Sequence, residues 1–282
     1  VPRAATIRSL ADIAEDQWGL FTRQQAESTG MAWTTLARAA KHGIAERVTH
    51  GVYRLRGTPA DEHRATRAAW LQLAPDIMVW DRSIGQGVAC RWTAAAIYGL
   101  GSNRLWSAGV HQFTLPVRRQ TRRADVRLYR AVLSDRDCAR VGGLLVTRPG
   151  RIISDLLHDG EDLAIVAQLV ADALREAKTS AQDMAAAIAS HAAWFGFAEH
   201  DGQSLLDWLL HQAPQRQPQR SWPSSMDSGK CEATSTGQHY LLVHTAESNL
   251  DDRKRTTIRL TTVMREGPPR RATRRQQPSR SS

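Results

Sequence analysis

The chain has 282 residues, 41% of them apolar, and a formal net charge of +10; that is enough apolar material for a sizeable core, and the length points to two domains. The longest apolar runs, such as "LAIVAQLVADAL", break off well before the roughly 20 residues a spanning helix needs, which excludes an ordinary helical membrane protein. The charge is uneven: residues 211–282 hold 13 Lys or Arg against 6 acids, whereas residues 1–210 hold 25 against 22, so only local clusters can argue for a polyanionic partner.

Taken in chain order, Ile7, Leu10, Ala11, Ala14 and Trp18 recur at helical spacing and predict a helix over about 6–18. Its acidic residues and amphipathic pattern differ from an export signal, and a cytoplasmic protein is expected. "GLF" reads as a break. Thr22 is placed to cap a second short helix, "RQQAESTG", closed by Gly30, and a third runs from Trp33 to about Lys41, ended by Gly43. Ile44–Thr49 and Gly51–Leu55 then alternate around "HG", the pattern of a tight hairpin. After "GTPAD", with Asp61 as the expected cap, comes the helix "EHRATRAAWLQLA". "DIMVW" reads as strand, "VACRWTAAAIYGLG" as helix, and "HQFTLPV", "DVRLYRAVL" and "GGLLVTR" as strands. Beyond Pro149 four helical stretches follow: "RIISDLLHDG", "EDLAIVAQLVADALREA", "AQDMAAAIASHAAWFGF" and "GQSLLDWLLHQA".

This pattern predicts an α+β fold. A winged helix-turn-helix domain is expected over 1–60, a mixed α+β domain with a helical end over 61–212, and a low-complexity basic tail over 213–282. The tail is polar and rich in Pro, Gln and Ser, too poor in apolar surface to offset the entropy of ordering, and is expected to be disordered.

The argument for function rests on the third helix. On a wheel, Thr34, Thr35, Arg38, Lys41 and His42 fall in an arc of roughly 120°, with Trp33, Leu36, Ala37 and Ala40 opposite as the expected core face. A row of donors and positive charges on one face is what a helix needs to enter the DNA major groove, and Arg, Lys and Thr can reach base edges there. The hairpin adds Arg47, His50, Arg54 and Arg56; residues 31–57 carry five basic side chains against Glu46, a local net of +4. Thr22 and Arg23, at the start of the second helix, complete the candidate DNA-binding set. A second cluster, Arg118, Arg119, Arg122, Arg123 and Arg127, with Arg130 beyond it, faces only Asp125; it fits a second phosphate-binding surface, a dock for an acidic partner, or a solvated strand edge.

Catalytic signatures are sparse. "REAK" at 175–178 contains a nuclease-like E-x-K but lies in a helical run, and "HDGED" fits the end of one helix and the start of the next. Phosphate-loop, nucleophile-elbow and zinc-protease motifs are missing. His158, His191 and His200 are isolated, and Cys90, Cys138 and Cys231 have neither disulfide nor zinc spacing, so no metal, no cofactor and no enzyme activity are expected.

"GLFTRQQAESTGMAWTTLARAAKHGIAERVTHGVYRLRG", followed by "CRWTAAAIYGL", a strand ending "LPV", and "VGGLLVTRPGRIISDLL", resembles the AbiEi-type antitoxin and transcriptional regulator family of bacterial type IV toxin-antitoxin systems, in its actinobacterial form. The resemblance covers about residues 6–160 and extends to the helices before 210. It implies a winged helix that binds its own operator and represses the operon, a C-terminal domain needed for antitoxicity, and a nucleotidyltransferase-like toxin that the antitoxin need not bind directly. Carried over, Thr34, Thr35, Arg38 and Lys41 on the helix and Arg47, His50, Arg54 and Arg56 on the wing would contact DNA. The alternative from another class is a protein-interaction module that neutralises a partner through its C-terminal domain without appreciable DNA binding.

Overall fold

The chain begins helix, strand, helix, helix, hairpin: α1 (Ala4–Glu15), β1 (Leu20–Thr22), α2 (Arg23–Ser28), α3 (Trp33–Lys41), β2 (Ala45–Thr49) and β3 (Val52–Leu55). The computed structural model describes residues 4–59, 61–101 and 109–213, all within one compact unit spanning 1–219. Local chemistry explains the first part. The Thr22 hydroxyl accepts from the Gln25 N–H (3.1 Å) while Gln25 Oε1 accepts from the Thr22 N–H (2.9 Å), a reciprocal capping box that starts α2. Gly43 and Gly51 sit at φ +72° and +70°, where a Cβ is penalised, and so end α3 and turn the hairpin. The three strands pair antiparallel in the order β1-β3-β2, with Phe21 opposite Tyr53 and their rings stacked at 5.8 Å. Those two rings, Leu10, Ala14, Ala26, Met31, Leu36 and Ala45 form a small core of their own.

The remainder is built on a five-stranded mixed sheet. Helix α4 (Arg64–Leu71) leads through short 3-10 turns to β4 (Val88–Ala89) and α5 (Arg91–Tyr98), then β5 (His111–Leu115), β6 (Val126–Arg130), β7 (Cys138–Val141) and β8 (Leu144–Thr147). The strand order is β6-β5-β4-β8-β7, with β5–β6 and β4–β8 parallel and the other pairs antiparallel. Helices α6 (Pro149–His158), α7 (Leu163–Arg175), α8 (Ala181–Ile188) and α9 (Gly202–Gln212) close the larger core, which runs from Trp70 and Phe113 to Ile152, Leu169 and Leu206.

Polar side chains join the two parts. Trp18 Nε1 donates to the Gly142 carbonyl (2.7 Å) and the Arg67 guanidinium lies 4.6 Å over the Trp18 ring. Gln17 Oε1 accepts from the Val79 N–H (3.1 Å), and the Thr22 hydroxyl donates to the Pro75 carbonyl. Beneath this seam the end of α4 is closed by Arg82, which is 2% exposed and donates to the carbonyls of Trp70 (2.6 Å), Leu71 (2.7 Å), Ala74 and Ile77 (3.2 Å). Burial pulls this guanidinium down to about 10, partly opposed by Asp76. Arg82→Met should therefore lower stability by about 3 kcal/mol, since carbonyls at a buried helix end lose their donors; urea unfolding checks it.

The mixed α and β architecture agrees with the sequence reading, and the first helices and strands are consistent with a winged helix-turn-helix. Several elements differ from expectation. "GLF" is not a break, because its last two residues belong to β1, which supplies the third strand beside the hairpin. "DIMVW" is no strand: Val79–Asp81 is a 3-10 turn, where the Val79 N–H goes to a side chain and the Asp81 N–H to the Met78 carbonyl. "VA" is the central strand β4, Cys90 caps the following helix, and the helix expected there starts only at Arg91. β7 lies in "CARV", which carries no alternation strong enough to predict it. The helix after Ala181 turns 3-10 over Ala189–Phe195. His63, not Asp61, occupies the cap of α4; the Asp61 carboxylate accepts from the His63 N–H (3.1 Å) and pairs with Arg67 (2.8 Å). Of the expected tail, residues 214–282 lie outside the described residues.

Candidate nucleic-acid interface

Leu36 and Ala39 are the buried residues of α3, with Ala40 half-buried. This turns the core face by roughly 50° from the wheel drawn on the sequence. Trp33 (42% exposed) and Ala37, both expected inside, face out instead. The reason lies on the neighbouring helix: the Arg23 guanidinium covers the Trp33 ring at 4.6 Å from its centroid, so Trp33 has a partner without entering the core. The outward face then presents Thr34, Arg38 and Lys41, with Thr35 half-buried at its edge and His42 exposed at the C-terminal end.

The other candidates divide by availability. Arg47 and His50 are exposed on the hairpin, with Arg47 Nη2 3.0 Å from His50 Nδ1. Arg56 is exposed, and a Cβ at Gly43 would fall 2.9 Å from its Nη1, so the guanidinium lies over the glycine that ends α3. Arg54 is largely covered and pairs with Glu46 at 2.6 Å; Arg23 pairs with Glu27 at 2.7 Å. Thr22 is fully buried and its hydroxyl is committed to the cap of α2 and to Pro75, so it leaves the set of candidate contacts and acts as a positioning residue. Arg38, Lys41, Arg47 and Arg56 remain as exposed cations with no ion pair among the described residues.

The second basic cluster lies beside the hairpin, a juxtaposition the sequence did not reveal. Gln72, at the end of α4, donates through Nε2 to the carbonyl of His50 at the hairpin tip and accepts through Oε1 from Arg123 Nη1. Arg123 also pairs with Asp125 (2.5 Å), and Arg119 Nη1 donates to the Leu73 carbonyl (2.5 Å). These two arginines are structural, holding the 118–123 loop over the end of α4. Arg118, Arg122 and Arg127 are exposed and make no ion pair among the described residues. Gln72 had no distinguishing mark in the sequence beyond its place after an amphipathic helix.

The acidic residues after α6 have structural partners. Asp159 pairs with Arg91 (2.5 Å), Glu161 accepts from Trp92 Nε1 (3.0 Å) and Asp162 caps α7, so "HDGED" is a helix junction. Glu176 caps the C-terminus of α7. Cys90 and Cys138 are buried free thiols, both pushed up to about 11 by burial, whereas Cys231 lies outside the described residues. Among the described residues no group of His, Cys, Asp and Glu could hold a metal ion, and no helix is long and apolar enough to cross a membrane.

Three helices followed by a hairpin thus carry an outward basic helix face and exposed basic side chains on and just after the hairpin. Residues 8–56, from within α1 to just past β3, match the family model of transcriptional regulators described as AbiEi antitoxins. The matched segment is therefore the one that carries α3 and the hairpin. No curated protein matches the chain.

Proposed function

We propose that residues 1–60 form a winged helix-turn-helix that binds duplex DNA, with α3 in the major groove and the β2–β3 hairpin on the neighbouring backbone. In this reading the protein is the antitoxin and autorepressor of a toxin-antitoxin operon whose toxin is nucleotidyltransferase-like, and 61–212 carries the antitoxin role. The carrying observation is the set of exposed cations without an ion pair among the described residues on one short segment: Arg38 and Lys41 on the outward face of α3, Arg47 on the hairpin and Arg56 just past it. The match of residues 8–56 to AbiEi antitoxin regulators supports the same segment and the regulatory role. Arg38, Lys41 and Thr34 would reach base edges; Arg47, His50, Arg56, Thr35 and His42 would hold phosphates. Arg23 and Arg54 contribute less, because each already has a carboxylate.

The link through Gln72 extends this surface to the 118–123 loop. Arg118→Glu with Arg122→Glu should weaken binding to any duplex by about tenfold or more and flatten the salt dependence, since log affinity falls with log salt by about 0.9 per neutralised phosphate. Fluorescence anisotropy of a promoter duplex over a salt series measures both quantities. A slope that stays the same in this variant would remove the loop from the interface. Absence of DNA binding by the unaltered chain, together with co-purification of a neighbouring gene product, would favour the interaction-module reading.

A further inference from the structure

A cavity lies in the C-terminal part, away from α3. It is open to solvent, has a volume of about 1110 Å³ and is lined by α5, β6, the β6–β7 connection, α6, the 175–180 turn and α8 with its 3-10 extension. Six cations line it, Arg91, Arg130, Arg136, Arg148, Arg151 and Lys178, against three carboxylates, Asp137, Asp155 and Asp183. Two of the three carboxylates are ion-paired, and Asp155 Oδ2 has no hydrogen bond among the described residues. Arg151 takes Asp155 at 2.8 Å and Asp137 at 3.7 Å, Arg91 lies 3.8 Å from Asp155, and the Asp183 carboxylate accepts from the Ser180 hydroxyl. Arg130, Arg136, Arg148 and Lys178 are left with no ion pair among the described residues, although four like charges around one hollow repel.

Two further observations point the same way. Helix α6 opens into this cavity without a side-chain cap: Arg148 stands at the cap position, Pro149 has no N–H, and the N–H groups of Gly150 and Arg151 are left to the cavity side of a ten-residue helix. His191, only 5% exposed, also lines the cavity; its Nε2 is 2.9 Å from the Ser154 hydroxyl and its Nδ1 has no protein partner. Burial and the nearby His158 hold this imidazole below its ordinary value.

We infer that this cavity binds a pyrophosphate-bearing small molecule, with Arg136, Arg148, Arg130 and Lys178 on the phosphoryl oxygens and the first turn of α6 donating backbone N–H groups. A single phosphate would leave most of 1110 Å³ unfilled, whereas a diphosphate can engage several of the four cations at once. The same chemistry comes from free pyrophosphate or from a nucleoside triphosphate, and Tyr98 and Tyr129 on the cavity wall offer the second a surface for its base. This site is independent of the DNA-binding reading.

Isothermal titration of the full chain with sodium pyrophosphate, ATP and adenosine tests it. Pyrophosphate and ATP should bind and adenosine should not. ATP binding tighter than pyrophosphate identifies a nucleoside polyphosphate as the source, and equal affinity identifies free pyrophosphate. Arg136→Ala with Arg148→Ala should weaken both at least tenfold, Lys178→Ala alone should weaken them several-fold, and Arg38→Ala with Lys41→Ala should leave them unchanged. The altered arginines and lysine are exposed, so the thermal midpoints of the unliganded variants should match the unaltered chain. No binding of either phosphate compound, equal binding of adenosine, undiminished binding by both cavity variants, or binding of a single-stranded oligonucleotide in place of the small molecules would each overturn the assignment.

Discussion

Arg38→Ala combined with Lys41→Ala is expected to reduce affinity for the protein's own promoter duplex on the order of 100-fold, abolishing retention in a gel shift at physiological salt. Both side chains project from the exposed face of α3, opposite Leu36 and Ala39, and neither has an ion pair among the described residues. Each well-placed contact to a base edge or phosphate contributes about 1–3 kcal/mol, so losing two costs about 3 kcal/mol or more, and 1.4 kcal/mol is tenfold. Stability should hardly change, because alanine suits a helix interior and neither side chain packs in the core. Unchanged circular dichroism with lost binding is the expected pair of results; retained binding would remove α3 from the interface. Arg54→Ala, by contrast, removes the partner of Glu46 and should weaken binding only a few-fold.

Gly202→Ala should be the most damaging single-methyl change in the C-terminal part. A Cβ there would lie 2.0 Å from the Ala185 carbonyl oxygen, 2.8 Å from its carbon and 3.1 Å from the Ala189 Cα. These are backbone atoms of α8 and its continuation, so no side-chain rotation relieves the clash; the start of α9 must move away from α8. Overpacking of this kind costs about 3 kcal/mol or more when the obstacle is backbone. Gly85→Ala is the internal comparison: its Cβ would meet only the Ser83 hydroxyl at 3.6 Å, and φ does not lie in the left-handed region, so it should be close to neutral. Equilibrium unfolding in urea separates the two, and equal midpoints would show that α8 and α9 can part without penalty.

Gly202 also illustrates what a linear reading misses. In the sequence it is an ordinary helix-start glycine after Asp201, and the carbonyl that forbids a side chain there comes from another helix. Thr22 is the converse case. Its capping role was legible because cap and N–H are three residues apart, but its burial, and hence its removal from the candidate contacts, comes from Pro75, 53 residues away. Arg38 and Lys41 were legible as a face because a helix repeats locally, whereas Trp33 was misplaced because an arginine on the preceding helix covers it in place of the core.

The sequence by itself determined the order of the N-terminal helices, the cap that starts α2, the glycines that end α3 and turn the hairpin, and the excess of positive charge on that segment. Each depends on spacings of a few residues, where capping, helical periodicity and glycine backbone freedom act. Tertiary structure alone decided that "VW" at 79–80 is a turn and that Gln72 bridges the hairpin tip to the 118–123 loop. It also gathered cations from residues 91 to 178 around one cavity. Those outcomes depend on side chains meeting carbonyls and charges far along the chain, and such meetings leave no periodic mark in the sequence.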